Sequence, residues 1–206
     1  MSVLNILFVG SDEVARSIAK KSDSRDVDNY IYKDLKEEGL FSTISILRPN
    51  NYPDKPKPFF TSLTVSDFGI IEVNKVDGVF GEVVVSMASA GIKEGLVILN
   101  ASEGEWVDDS QVKALLQQAG LSNWEFIEND GVLIREKLIK VLNQIKSNND
   151  DGFVVAVDQS FTVKGVGLVA IGHVQSGKVN KHDELILAGS EGNAIARSLQ
   201  VMDMDV

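Results

Sequence analysis

Predominantly apolar runs fall at residues 4–9, 43–47, 68–73, 96–99 and 124–127. Runs of that kind suit strands of a parallel sheet covered on both faces. Between them lie helical spacings. Val14 and Ile18 are four apart; Val112, Leu115, Leu116 and Ala119 follow the 3, 4, 7 rule, with residues 108–110 as cap candidates. Ile134, Leu138, Val141, Leu142 and Ile145 form a longer stripe, and residues 30–32 read as a short edge strand. The stretch 49–58 holds all four prolines and reads as an irregular surface loop. The alternation of strand and helix predicts a doubly wound α/β domain over residues 1–147, with a mostly parallel sheet and helices on both faces.

The pattern changes at residues 147–152, Ser-Asn-Asn-Asp-Asp-Gly, a polar stretch that reads as a linker, its core at 148–152. Beyond it, residues 153–157, 167–171, 184–187 and 194–201 are short strand candidates parted by Gly, Asp and Asn. Residues 153–206 are therefore expected to form part of a β-barrel, too short to close on itself.

Composition narrows the classes. The net charge is −10, and neither segment is basic: residues 1–150 hold 16 Lys and Arg against 23 Asp and Glu, and residues 151–206 hold 4 against 7. Broad nucleic-acid binding, which draws on phosphate neutralisation, is disfavoured. A local patch at Lys20, Lys21 and Arg25 reads more simply as solvated charge at a helix end. There are no cysteines, so disulfides and thiolate metal sites are excluded, and the histidines are His173 and His182. No apolar run approaches bilayer length, and the first ten residues read as a strand. No membrane partner and a cytoplasmic location are expected.

A phosphate-binding loop needs the spacing G-x-x-x-x-G-K-[ST] between a buried strand and a helix. Here Gly10-Ser-Asp-Glu-Val-Ala15-Arg16-Ser17 keeps the frame and alters its parts. Ala15 adds a methyl group where backbone would pass phosphate, Arg16 is not equivalent to Lys, and Asp12 and Glu13 oppose phosphate charge. Gly10, Ala15, Arg16 and Ser17 are the candidate remnants, with Ser17 the candidate magnesium ligand. Taken alone, these residues read best as a tight strand–helix turn capped by Ser11 or Asp12.

Residues 158–177 carry the pattern D-x-x-F-x-V-x-G-x-G-x-V-x-x-G-x-V-x-x-G, followed by Asp183, Leu185, Ser198 and Gln200. This resembles the second domain of translational GTPases, in particular elongation factor Tu and the selenocysteine-specific elongation factor. The family's barrel continues past the position matching Val206, so the resemblance implies a truncated barrel. For residues 1–147 it implies a nucleotide-binding fold whose site is degraded. The family places an Asp, then Pro-Gly-His, after its third strand; here Arg48 stands where that Asp should be, and no His precedes His173. The family's guanine motif N-K-x-D has a match at residues 74–77, but it follows the wrong strand. The strand at 96–99 leads instead into Asn100-Ala101-Ser102-Glu103, so Asn100 and Glu103 are the base-side candidates.

The whole is similar to degenerate, archaeal-type paralogues of the selenocysteine factor. The resemblance implies binding to tRNA or the ribosome. No catalytic residue is assigned and no cofactor is expected bound, GTP with magnesium being weak at best. A phosphate or sulfate ion is expected at the loop, near Arg16. Two alternatives stay open: an active GTPase reworked around Arg16, Ser17 and Glu103, and a protein-interaction scaffold.

Overall fold

The structure, a computed structural model, describes residues 3–35, 41–101, 106–144, 152–189, 192–201 and 204–205. The chain divides into two compact units, residues 1–145 and 146–206.

The first unit runs β1 (Val3–Val9), α1 (Asp12–Ile18), β2 (Lys20–Ser24), β3 (Val27–Leu35), β4 (Phe41–Pro49), α2 (Pro56–Leu63), β5 (Phe68–Val73), α3 (Gly78–Ser89), β6 (Gly95–Leu99), α4 (Asp109–Gln118), β7 (Glu125–Ile127) and α5 (Gly131–Gln144). Its seven strands form one sheet in the order β2-β3-β4-β1-β5-β6-β7. β1 pairs in parallel with β4 and β5, and β5–β6–β7 continue in parallel; β2–β3 and β3–β4 are antiparallel. Successive strand residues point to opposite faces, so a strand buried on both sides must be apolar throughout. Ile6, Ile46 and Ile70 pack beneath α1 and α5 with Ile18, Ile134 and Leu138. Leu7, Ile71 and Val97 pack on the other face, with Phe59 of α2, Met87 of α3 and Leu116 of α4. The α/β architecture with a mostly parallel sheet is the one the apolar runs imply.

Three details differ from the sequence reading. β3 is nine residues long and lies inside the sheet, not at its edge. The edge belongs to β2, Lys-Lys-Ser-Asp-Ser, which has no apolar residue to betray it; polar side chains are how an edge strand stays soluble. The proline-rich stretch is irregular only to Lys55, after which α2 starts with Pro56 in its first turn, where a missing N–H costs nothing.

In the second unit β8 (Val154–Val163) and β9 (Gly167–Ser176) form an antiparallel hairpin, β10 (Glu184–Ile186) pairs with β11 (Asn193–Ile195), and β12 (Gln200–Val201) with β13 (Met204–Asp205), both antiparallel. Gly165 and Gly167 turn the first hairpin at φ +86° and +105°, values that favour glycine. Among its described residues Ala196 is the buried hydrophobic side chain, while Leu168 and Ile186 are 74% and 85% exposed. Of the expected linker, residues 147–151 lie outside the described residues and Gly152 is exposed. No helix among the described residues is long and apolar enough to cross a membrane.

Candidate functional site

β1 delivers the chain to Gly10 at the C-terminal end of the sheet, the edge where open α/β sheets take ligands. Ser11 caps α1, its hydroxyl accepting from the Val14 N–H at 3.3 Å. Asp12 and Glu13 lie in the first turn, where negative charge complements the helix dipole. With a cap and two acids in place and no glycine at 15, the helix begins at Asp12. Ala15 is thus a buried helical residue in the core under the sheet, and its N–H is spent on the Ser11 carbonyl at 3.3 Å. The connection left between strand and helix is Gly10–Ser11.

That connection is held from two sides. Glu72, buried near the end of β5, accepts the Ser11 backbone N–H at 2.5 Å through one carboxylate oxygen and the Asn100 side-chain amide at 2.6 Å through the other. Gly10 is required by that approach: a Cβ there would stand 2.6 Å from the Glu72 carboxylate and 2.7 Å from the Phe8 ring. On the other side Arg48, at the end of β4, donates from Nε to the Gly10 carbonyl at 2.7 Å and from its terminal nitrogen to Asp28 at 3.1 Å and Asn50 at 2.7 Å.

Asp28 of β3 anchors a charged cluster. It accepts from Lys21 at 2.7 Å and Ser24 at 2.7 Å as well as from Arg48, with only 4% of its side chain exposed. Burial pushes its carboxyl up, but the hydrogen bonds from Lys21 and Ser24 outweigh burial and hold it at about 2. Asp12 accepts from the Tyr30 hydroxyl at 2.6 Å, from Arg16, and from Lys21 at 3.0 Å. Those three donors, Tyr30 foremost, hold Asp12 well below the usual carboxylate range. Burial, with Asp12 as acceptor, raises the Tyr30 phenol above its ordinary value. Asn50 ties the same corner to the β2–β3 turn through the Arg25 carbonyl and the Asp26 carbonyl, each at 2.9 Å.

The expected site residues therefore scatter. Gly10 and Asn100 meet through Glu72. Arg16 is engaged by Asp12. Ser17 is exposed, donates to the Val14 carbonyl at 2.7 Å, and lies against α5, where a Cβ on Gly131 would come within 2.6 Å of its hydroxyl. Glu103 lies outside the described residues. The N-K-x-D match serves a helix: Asp77 accepts the Phe80 N–H at 3.0 Å to cap α3 and pairs with Lys75 at 3.0 Å. Among the described residues no three His, Asp or Glu side chains converge as a metal site requires.

Glu72, Asp28, Lys21 and Tyr30 were not among the sequence candidates. Glu72 carried a signal nonetheless. A lone acid in an otherwise apolar buried strand needs partners, because burying an unpaired charge is costly. Asp28 alternates with Tyr30 on one face of β3, so it shares the inward side.

No family model matches the chain. It is 32% identical over 200 residues to an uncharacterized protein of Methanocaldococcus jannaschii, an alignment covering 97% of this chain and 61% of that relative. Among solved structures it is similar to a bacterial selenocysteine-specific elongation factor, EF-Sec, with a TM-score of 0.73 at 17% identity, covering all of this chain and 40% of that one. It is also similar to the elongation factor SelB of Methanococcus maripaludis in complex with the GTP analogue GppNHp, with a TM-score of 0.68 at 19% identity and 48% of that chain covered. The chain thus spans about three-fifths of that sequence relative and less than half of those elongation factors. At these identities the likeness concerns architecture alone: an α/β unit with a mostly parallel sheet followed by antiparallel strands, as in those elongation factors.

Proposed function

We propose that this chain is a translation-factor-like protein with a degenerate nucleotide site, acting by binding tRNA or the ribosome and not by turning over GTP. The observation that carries this reading is the closure of the Gly10–Ser11 connection by the chain's own charges. Glu72 takes the Ser11 N–H, Arg48 takes the Gly10 carbonyl, and α1 begins at Asp12, so the Val14 and Ala15 N–H groups are spent on Ser11. A nucleoside triphosphate with magnesium does not fit these residues. Its phosphates would meet Glu72 and Asp12, and its metal would meet Arg48 where the family's acid is expected. In this reading the Ser11 N–H that a bound anion would take is held by Glu72, and Arg16 is spent on Asp12. The RNA-facing role is supported by the shared architecture with the elongation factors.

Phosphoryl transfer in this fold class depends on metal and an oriented water. GTP turnover by the purified chain should equal that of a blank without protein, and calorimetry with GTP, ATP and sulfate should show no selective binding of GTP. Magnesium-dependent phosphate release that follows the protein through purification overturns the reading, as does sub-micromolar GTP binding that ATP does not compete away.

A further inference from the structure

On a chain of net charge −10, one concave surface is lined by cations. A groove of about 480 Å³ between the end of α1, the β2–β3 edge and α5 is bordered by Arg16, Lys20, Lys21, Lys33 and Arg135, and no acidic residue lines it. It belongs to neither the Gly10–Ser11 connection nor the base-side loop. A second hollow of about 490 Å³ shares Lys20, Lys21 and Lys33 with it and adds Ser22, so the basic surface continues along the edge strand.

Two of these cations are set apart from the internal ion pairs. Arg135 donates from Nε to the Ile18 carbonyl at 2.7 Å and from its terminal nitrogen to the Ser17 carbonyl at 2.9 Å, and its guanidinium stacks on Tyr32 at 4.9 Å. It is held in place with its charge uncompensated, since no carboxylate pairs with it among the described residues. Lys20 is exposed at the start of the edge strand and has no ion pair among the described residues. Lys33 is exposed on β3, two residues beyond Ile31, the pairing partner of Lys20; at about 3.4 Å per residue the two positions are offset by roughly 7 Å along the strands. Lys21 and Arg16 are committed to Asp28 and Asp12, and Lys33 has an interaction of its own, so these three contribute field more than free donors.

We propose that this groove binds the phosphodiester backbone of a nucleic acid, RNA under the functional reading above, on which the choice of RNA rests. An open, extended row of cations suits a string of phosphates better than one enclosed phosphate group. The Tyr32 ring is covered by Arg135, so no aromatic platform is left there for base stacking. Contact is therefore with backbone, sequence-tolerant and salt-dependent.

The probes are a fluorescein-labelled twelve-nucleotide oligo-uridine RNA and inorganic tripolyphosphate, with anisotropy read at low salt. With Lys20 and Arg135 each neutralising one phosphate, log K should fall with log salt at a slope of about −1.4 for a single strand. Lys20→Glu/Lys33→Glu should weaken RNA binding at least ~10-fold, about 1.4 kcal/mol. Lys20→Gln/Lys33→Gln should fall in between. Lys57→Glu/Lys93→Glu, which makes the same change in net charge at residues that do not line the groove, should leave binding within about twofold when read again at about 0.15 M salt, where distant charges are screened. Thermal melts confirm that each variant is folded.

Equal losses in both Glu pairs overturn the proposal, since bulk charge then explains the binding. Tripolyphosphate bound through Lys20 and Lys33 while RNA is not overturns it in favour of a small phosphorylated ligand. RNA bound unchanged by the Lys20→Glu/Lys33→Glu variant retires the groove and leaves the RNA-facing role standing. GTP turnover retires the functional reading while leaving a salt-dependent groove intact.

Discussion

The two ends of the candidate site are built on different principles. At the β1–β4 end Asp12, Asp28, Lys21, Arg48 and Tyr30 form a network in which each charged group meets at least one partner of opposite charge. At the β5–β6 end Asn100 makes a single side-chain bond, to Glu72, and the nearby Asp77 is spent on capping α3. Both ends bury an acid, and a buried charge without partners would cost several kcal/mol, but Asp28 is met by two cations while Glu72 is met by the neutral Ser11 N–H and Asn100 amide. Ala101 is exposed, where water satisfies whatever the chain presents.

The sharpest way to break this contrast is to remove Arg48. Arg48→Ala takes one of two cations from Asp28 and the donor from the Gly10 carbonyl, and should lower unfolding free energy by about 3 kcal/mol, the lower end for a broken buried pair. Urea denaturation at neutral pH measures it. A loss under 1 kcal/mol would mean that Lys21 balances Asp28 unaided and that the two ends differ less than their geometry suggests.

Glu72 joins the two ends, so a cycle across it grades them. Glu72→Ala should cost about 2 kcal/mol, through loss of charge-assisted bonds to Ser11 and Asn100, and Asn100→Ala about 1 kcal/mol. The double variant should cost less than the sum, by roughly 1 kcal/mol, because the residues share one bond. Additive losses would show that Asn100 is held by something other than Glu72.

The smallest effect is a pH dependence, carried at the β1–β4 end by Asp28 and Asp12, beside which Asp77 is also lowered by the Phe80 N–H. Asp28 is held at about 2, below its ordinary 3.8. A carboxyl depressed by folding adds stability that is full above pH 3.8 and disappears as pH falls to about 2. Asp12, also depressed, acts in the same direction. Asp28→Asn should therefore flatten the acid limb of a stability–pH curve while leaving its neutral limb level, and an unchanged acid slope would rule Asp28 out as its source.

The sheet was legible because a parallel strand under two helical layers has little freedom in composition: residues 4–9 and 68–73 are apolar, Asn5 and Glu72 apart, for that reason. β2 was illegible because it buries nothing. The loop residues Gly10, Arg16 and Ser17 were found by spacing, yet spacing does not tell where a helix begins; the Ser11 cap and the absence of glycine at 15 decided that. The network around Asp28 was out of reach because its members come from α1, β2, β3 and β4, brought together by the β2–β3–β4 pairing and not by sequence proximity.

The bond between Arg48 and Asp28 also bears on redesign. A designer seeking a magnesium centre here would first write Asp at position 48. That one change sets a third carboxylate beside Asp12 and Asp28, and leaves Lys21 as the remaining ion-pair partner of Asp28 among the described residues. The intermediate is worse than either end point, because like charges sharing a partly buried corner repel. Position 28 would have to change with position 48, and Glu72 would have to yield the Ser11 amide in the same step. The corner behaves as a latch with interlocking pins: it opens only when several are lifted together.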